Sequence, residues 1–412
     1  MRAGVGRVAP SVYNRPMSTL PDTYTILALE TSCDETAAAV VRGGRTLLAN
    51  VVASQMEMHQ RYGGIVPEVA SRQHMLSLLP VLDEALAALP GGWNDIDAVA
   101  ATYGPGLSGA LLTGLNAAKA LAWRRGLPFV GVNHLEAHIY ANWLDAGGGR
   151  QAVDGEALPL LSTVPRPPSF PLIALVVSGG HTLLALLRDH GNYEILGQTR
   201  DDAVGEAFDK VARILGLGYP GGPAVQQAAA TGQGGPSLPR AWLRDSYDFS
   251  FSGLKTAVLH KAQERAGQAA KVAPRNADKS LRRQNPPAGR ATAPDPAPPA
   301  AAPSPPRPLD AHFVAQTAHA FQESAVDVLV SKTVEAARQY GATEILLAGG
   351  VAANTRLRAE LSRRAAVPVR FPPISLCTDN AAMVAAAAFY RFAAGVHSGW
   401  DLDVLPGLRL GE

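Results

Sequence analysis

The sequence predicts an α/β protein built of two duplicated lobes, with a nucleotide held between them. Residues 25–41 and 172–187 carry most of that reading. Each is an apolar strand, a short polar turn and a second apolar strand. Small and hydroxyl residues fill both turns, where backbone N–H groups can wrap around an anion. The two pieces lie roughly 150 residues apart, as expected if one structural unit is used twice.

The intervening segments read in order. Residues 24–145 alternate strand-like and helix-like stretches. Residues 96–102 form a strand, and Gly104-Pro-Gly106 is a sharp turn. Ser108 then caps a helix that runs to about Arg125. Residues 128–132 form another strand, and Asn133 caps the next helix. Residues 201–210 enter a helix that ends at Gly216 or Gly218, and Tyr219-Pro-Gly-Gly-Pro223 is a rigid turn. Residues 344–347 are a strand, followed by the Gly-rich turn of residues 348–354 and a helix. From Asn380 to about Ala394 the chain is Ala-rich and helical, and by analogy with other duplicated α/β folds it returns to the first lobe.

This gives lobe I at 23–145 together with the helix at about 380–395, and lobe II at 171–379. Residues 146–170 are rich in Gly and Pro and read as a linker or loop insertion. Residues of about 265–309 are Pro/Ala-rich and cannot bury a core, which predicts a disordered insert. Its basic residues, Lys271, Arg275, Lys279, Arg282, Arg283 and Arg290, make it either a solvated loop or an arm that touches RNA. Residues 1–22 read as an untemplated extension, with Met17 as an alternative start to Met1, and 396–412 as a tail.

Composition narrows the class. Apolar residues make up 47% of the 412-residue chain and charged residues 17%, which suits two well-buried cores. A net charge of +2 neither demands nor excludes nucleic acid. Cys33 and Cys377 give neither a disulfide framework nor a cysteine-rich zinc site, and a reducing compartment fits. No apolar run reaches the length of a membrane-spanning helix.

Several residues are candidates for chemistry. His134 and His138, at i and i+4, share one helix face, a common two-histidine metal arrangement. Their spacing lacks the His-Glu-x-x-His signature of metallopeptidases. Asp379 is either an N-cap of the last helix or, if that helix returns to lobe I, an oxygen ligand beside the two imidazoles. Two histidines and a carboxylate with open positions suit iron(II) or zinc. Asp209 can accept from ribose hydroxyls, Gly222 can admit a sugar or base, and Asn354 offers an amide. Asp34 and Glu35 sit in the first turn, where they either position a metal, water or amine or form an Asx-type turn. Lys255 is either a phosphate or RNA contact or a solvated lysine.

Taken together, these blocks resemble the tRNA N6-adenosine threonylcarbamoyltransferase family, once described as O-sialoglycoprotein endopeptidases. The matching segments are Glu30-Thr-Ser-Cys-Asp-Glu-Thr36, residues 63–68, 70–74 and 102–107, Asn133-His-Leu-Glu-Ala-His138, Val177-Ser-Gly-Gly-His-Thr182, and residues 201–223, 249–256, 349–354 and 376–380. They run in family order from about 24 to 395. The resemblance implies an actin-like, sugar-kinase-like ATPase fold with two duplicated lobes and a nucleotide cleft. It also implies transfer of threonylcarbamoyl from threonylcarbamoyl-adenylate to N6 of the adenosine 3′ of the anticodon, in tRNAs reading codons that begin with A. The family's metal ligands fall on His134, His138 and Asp379, with Fe2+ the first expectation and Zn2+ the second. Its substrate contacts fall on Val176, Val177, Ser178, Gly179, Gly180, Asp209, Gly222 and Asn354. Asp34 and Glu35 are the candidates for catalytic proton transfer. Implied partners are tRNA, a paralogous actin-like subunit and a small ATPase, in the cytoplasm. Ala137 stands where the family usually has Gly, and residues 146–170 and 265–309 look like insertions. The competing readings are a small-molecule kinase or ATPase on the same fold, and a metallopeptidase.

Overall fold

The computed structural model describes residues 20–145, 150–153, 156–157, 166–267 and 309–412. The N-terminal extension up to residue 19 and the Pro/Ala-rich stretch 268–308 lie outside the described residues, as does most of 146–165.

The first half of the chain contains β1 (Thr25–Glu30), β2 (Glu35–Arg42), β3 (Thr46–Ser54), α1 (Met56–Gln60), α2 (Pro67–Ala87), β4 (Ala98–Gly104), α3 (Ser108–Arg125), β5 (Phe129–Asn133), α4 (His134–Tyr140), β6 (Arg150–Val153) and β7 (Glu156–Ala157). The second contains β8 (Leu172–Val177), β9 (Thr182–Asp189), β10 (Asn192–Gln198), α5 (Val204–Leu215), α6 (Gly221–Ala230), α7 (Ser252–Arg265), α8 (Ala311–Gln339), β11 (Glu344–Ala348), α9 (Thr355–Arg364), β12 (Val369–Arg370) and α10 (Ala381–Ala393).

The strands form two sheets, ordered β5-β4-β1-β2-β3-β6-β7 and β10-β9-β8-β11-β12. The duplication is visible strand by strand. β1 pairs antiparallel with β2 and β2 with β3, while β1 pairs parallel with β4 and β4 with β5. In the same way β8 pairs antiparallel with β9 and β9 with β10, and β8 parallel with β11 and β11 with β12. β1, β4, β8 and β11 are buried along their whole length, and such doubly covered strands read as continuous apolar runs rather than as alternation. The stretch that the sequence leaves as a linker supplies β6 and β7, which extend the first sheet beyond β3.

Helices cover both faces of each sheet. One core lies between α2, α3 and the outer face of the first sheet, and another joins α5–α9 to the second sheet. A third contains residues of β1, β2, β8, β9, α4 and α10, and so runs between the lobes. The Ala-rich α10 is buried nearly throughout; its small side chains let it lie against both the first sheet and α4.

Local chemistry explains the element ends. Asn133 caps α4, its side-chain oxygen accepting from the N–H groups of Leu135 and Glu136. Asn354 caps α9 and Asn380 caps α10 in the same way. Gly216 ends α5 in the left-handed conformation. The sequence assigns a cap to Ser108, but Ser108 is the first residue of α3; Leu107 holds the cap position and makes no side-chain bond to the helix.

Candidate functional site

α4 begins where β5 ends, which places His134 and His138 one turn apart at the inner end of the first sheet. The loop before α10 brings in Asp379. Because Asn380 takes the capping role, the Asp379 carboxylate is left to face the histidines. Its Oδ1 lies 3.1 Å from His138 Nε2 and 3.5 Å from His134 Nε2. One donor atom from each residue fits within a 4.8 Å span. His138 Nδ1 is buried with no hydrogen-bonding partner among the described residues, and its Nε2 faces the Asp379 carboxylate. Buried polar atoms are seldom left so, and a cation bound by two imidazoles and a carboxylate is a donor set that resolves it. The residues present therefore fit a divalent metal.

The electrostatics run the same way. Burial alone lowers the pKa of His134, but the charges of Asp379 and Glu30 outweigh burial and raise it to about 9. Burial pushes Asp379 up, and the two histidines, acting more strongly, hold it well below the usual carboxylate range. The group is a concentration of negative charge that calls for a cation, and protons occupy that role when no metal does.

The first turn borders this cluster. Burial, then the charges of Asp34 and Asp379, hold Glu35 well above the usual carboxylate range. Two adjacent carboxylates in one buried turn repel one another, which disfavours the ionised form of Glu35. Burial and the Asp34 and Asp379 charges also raise Cys33, which is a thiol rather than a reactive thiolate.

Lobe II faces these residues. The Ser178–Gly180 turn is held by Ser178 N–H donating to the His181 carbonyl at 2.8 Å and His181 N–H donating to Ser178 Oγ at 3.1 Å. A side chain at Gly179 or Gly180 would meet nothing within 4 Å, so this turn opens onto free space. Val176 and Val177 are wholly buried in β8 below it. Gly349 has φ +89°, and a Cβ there would meet the Val177 carbonyl at 2.4 Å. Only glycine lets the 349–354 turn approach β8 this closely. Asn354 is largely buried; besides its cap it donates from Nδ2 to Gln322 Oε1 at 3.0 Å. Asp209 accepts from the Gly221 N–H at 2.8 Å, and burial raises its pKa. Gly222, one residue on, borders open space.

Lys255 is partly buried and ion-paired. It pairs with Asp202 at 2.8 Å, and Asp202 also holds Lys210 at 2.9 Å. Asp201 accepts from Ser250, Phe251 and Ser252, which pins the 249–252 segment to the start of α5.

Sequence reasoning missed three members of the site. Glu30 lies under His134, with Oε2 3.2 Å from its Nδ1. Tyr219 stands near Asp34, Asp209 and Glu35, and burial followed by those charges raises its pKa. His181 is held down at about 4 by burial and by the two other histidines. Glu30 carried a signal: a carboxylate closing an otherwise apolar strand.

Comparison with known proteins agrees on one family. The family model for TsaD, tRNA N6-adenosine threonylcarbamoyltransferase, matches residues 46–386. A Thermomicrobium roseum protein of that name is 53% identical over 388 residues, covering 93% of this chain and 96% of its own. The Bacillus subtilis protein of that name is 44% identical over 399 residues, covering 96% and 98%. Among solved structures, full-length HypF in its phosphate- and nucleotide-bound form aligns with a TM-score of 0.51 at 12% identity, over 92% of this chain and 56% of that one; this likeness concerns the fold alone.

Proposed function

This chain belongs to the tRNA N6-adenosine threonylcarbamoyltransferase family, and from that premise we propose that it transfers threonylcarbamoyl from threonylcarbamoyl-adenylate to N6 of the adenosine 3′ of the anticodon, releasing AMP. Its duplicated α/β architecture is of the actin and sugar-kinase class. The observation that carries the reading on this chain's own residues is the His134, His138 and Asp379 cluster, set beside the first turn and facing the open glycine turn of lobe II.

The acceptor amine is a poor nucleophile, because its lone pair is delocalised into the purine ring. Its nitrogen must reach the carbamoyl carbon while the bond from that carbon to the phosphate oxygen breaks and AMP departs with the electron pair. The incoming amine then sheds one proton. Positioning and charge stabilisation therefore carry the rate. Backbone N–H groups of Gly179 and Gly180 hold the adenylate phosphate, in a turn that Ser178 braces through its own bonds to His181. Asp209 takes the ribose hydroxyls, Gly222 admits the sugar, and Asn354, fixed by its cap, borders the base. A divalent metal held by His134, His138 and Asp379, Fe2+ by preference, supplies Lewis-acid polarisation when bound. Asp34 or Glu35 accepts the amine proton, and the raised pKa of Glu35 disfavours two charges in this turn beside a phosphate. Membership of the family supports tRNA as the acceptor, a paralogous actin-like subunit and a small ATPase as partners, and a reducing, cytoplasmic setting. No described helix is long and apolar enough to cross a membrane.

The test is a transfer assay with the full chain, its helper subunits, threonylcarbamoyl-adenylate and unmodified tRNA, read by the mass of released nucleosides. The expected product is adenosine carrying threonylcarbamoyl, with turnover in His138→Ala reduced by more than about 100-fold, beyond the 10- to 100-fold usual for losing only a partner behind a metal ligand. No product from intact adenylate, with metal and helpers present, would overturn the reading.

A further inference from the structure

Glu30 is the last residue of β1, whose preceding residues are Thr25 and four apolar side chains, and it is completely buried. Among the described residues no lysine or arginine forms an ion pair with it; its ionic partner is His134. A carboxylate so placed is costly unless both its oxygens are hydrogen-bonded and a positive centre lies close. Both conditions are met in one direction. Oε1 accepts the Ser32 N–H at 2.5 Å, Oε2 accepts the Thr102 hydroxyl at 2.6 Å, and Oε2 also lies 3.2 Å from His134 Nδ1.

We infer that Glu30 is a positioning residue of the metal centre, whose carboxylate takes the Nδ1–H of His134 and so aims the Nε2 lone pair at the position shared with His138 and Asp379. The inference rests on the metal reading above. Its geometric basis is that a carboxylate occupied by two other donors can only accept from the imidazole. The ring proton therefore sits on Nδ1, and Nε2, which faces Asp379, is the free ligand atom. Ser32 Oγ, also 3.2 Å from Nδ1, is a second acceptor for the same proton. His138 has no equivalent: its Nδ1 is buried without a hydrogen bond among the described residues. The orientation of the pair is thus set from the His134 side. The same carboxylate orders the Ser32 backbone, so one residue ties the first turn to the metal ligand.

Co2+ binding to the full chain tests this, measured by competition with a chelator and by the visible absorption of the bound ion. The wild-type chain, Glu30→Gln, Glu30→Asp and Glu136→Gln are compared, with folding checked by circular dichroism. Glu136 is a buried carboxylate on the same helix as both histidines, engaged instead with Arg391 and Tyr193. The expected result is a 10- to 100-fold loss of Co2+ affinity in Glu30→Gln, roughly the usual effect of losing a partner behind a metal ligand, with a shifted absorption band. Glu30→Asp, one methylene short of the ring, falls between, and Glu136→Gln binds as wild type. A folded Glu30→Gln chain with wild-type affinity and an unchanged band overturns the inference. If that variant does not fold, Glu30→Asp decides, and wild-type affinity there overturns it too. Failure of the wild-type chain to bind Co2+, Zn2+ or Fe2+ overturns the metal reading itself, and this inference with it.

Discussion

Asp379 and Asn380 are adjacent and do different work. Asn380 Oδ1 accepts the Met383 N–H at 3.1 Å and starts α10. Its Nδ2 donates to the Thr378 carbonyl at 2.8 Å, which closes the loop that carries Asp379. Asp379 is then spared for the histidines. The two substitutions should therefore separate. Asn380→Ala should cost about 1 kcal/mol of stability through the lost cap and leave a bound metal in place. Asp379→Asn should remove metal binding, because the amide brings neither the charge nor the anionic donor that the two imidazoles require. Thermal melts paired with metal analysis check both. Equal metal loss in the two variants would contradict the division of labour.

At the scale of elements, the hairpin of β9 and β10 meets α4 and α10 through aromatic side chains. His190, between those strands, stacks on Tyr390 with ring centres 3.9 Å apart, and its Nδ1 lies 2.7 Å from the Tyr140 hydroxyl. Phe170 meets it edge-on at 4.9 Å. Burial lowers the His190 pKa from 6.5 to about 4, against a weaker opposing pull from Asp189. The sign follows from linkage. Above pH 6.5 neither state of the chain protonates this ring, and the interlobe contact contributes in full. As the pH falls from 6.5 towards 4, the unfolded chain takes up the proton first and folding loses ground. The loss approaches an order of 3 kcal/mol for a shift of this size. Equilibrium unfolding of wild type and His190→Phe across that window should show the variant with the shallower decline. Parallel curves would mean that His190 is not the titrating group.

Across the whole molecule, the lobes touch at several places besides this aromatic cluster. Gln60 Nε2 donates to the Tyr219 carbonyl at 2.9 Å, and Arg213 donates to the Gly63 carbonyl, so the loop between α1 and α2 lies against lobe II. Glu136 accepts from both Arg391 and Tyr193 at 3.0 Å, joining α4, α10 and β10. All of these contacts lie between residues outside the 268–308 stretch. Its flanks are joined by an ion pair at 2.7 Å between Arg265, the last residue of α7, and Asp310, the cap of α8. Replacing 268–308 by a short Gly/Ser linker should leave the melting temperature nearly unchanged and the transfer rate within about twofold, since closure entropy changes only slowly with the length of a connecting segment. A selective fall in tRNA affinity, with a shallower salt dependence, would instead make its basic residues phosphate contacts.

By itself the sequence determined what depends on near neighbours. The two strand-turn-strand units, the asparagine cap at 133, the Gly216 helix end and the i, i+4 spacing of His134 and His138 all follow from spacings of a few residues, which backbone geometry reads directly. Only the tertiary structure decided what shares space across the chain. It showed that Asn380 caps α10 so that Asp379 meets the histidines, that Lys255 pairs with Asp202, and that Glu30 backs His134 from a strand two places away in the sheet. Glu30 reaches His134 because β1 pairs with β4 and β4 with β5, whose end launches α4. No local pattern encodes such a meeting. It is set by sheet register and by the burial of apolar faces, and those are properties of the assembled chain.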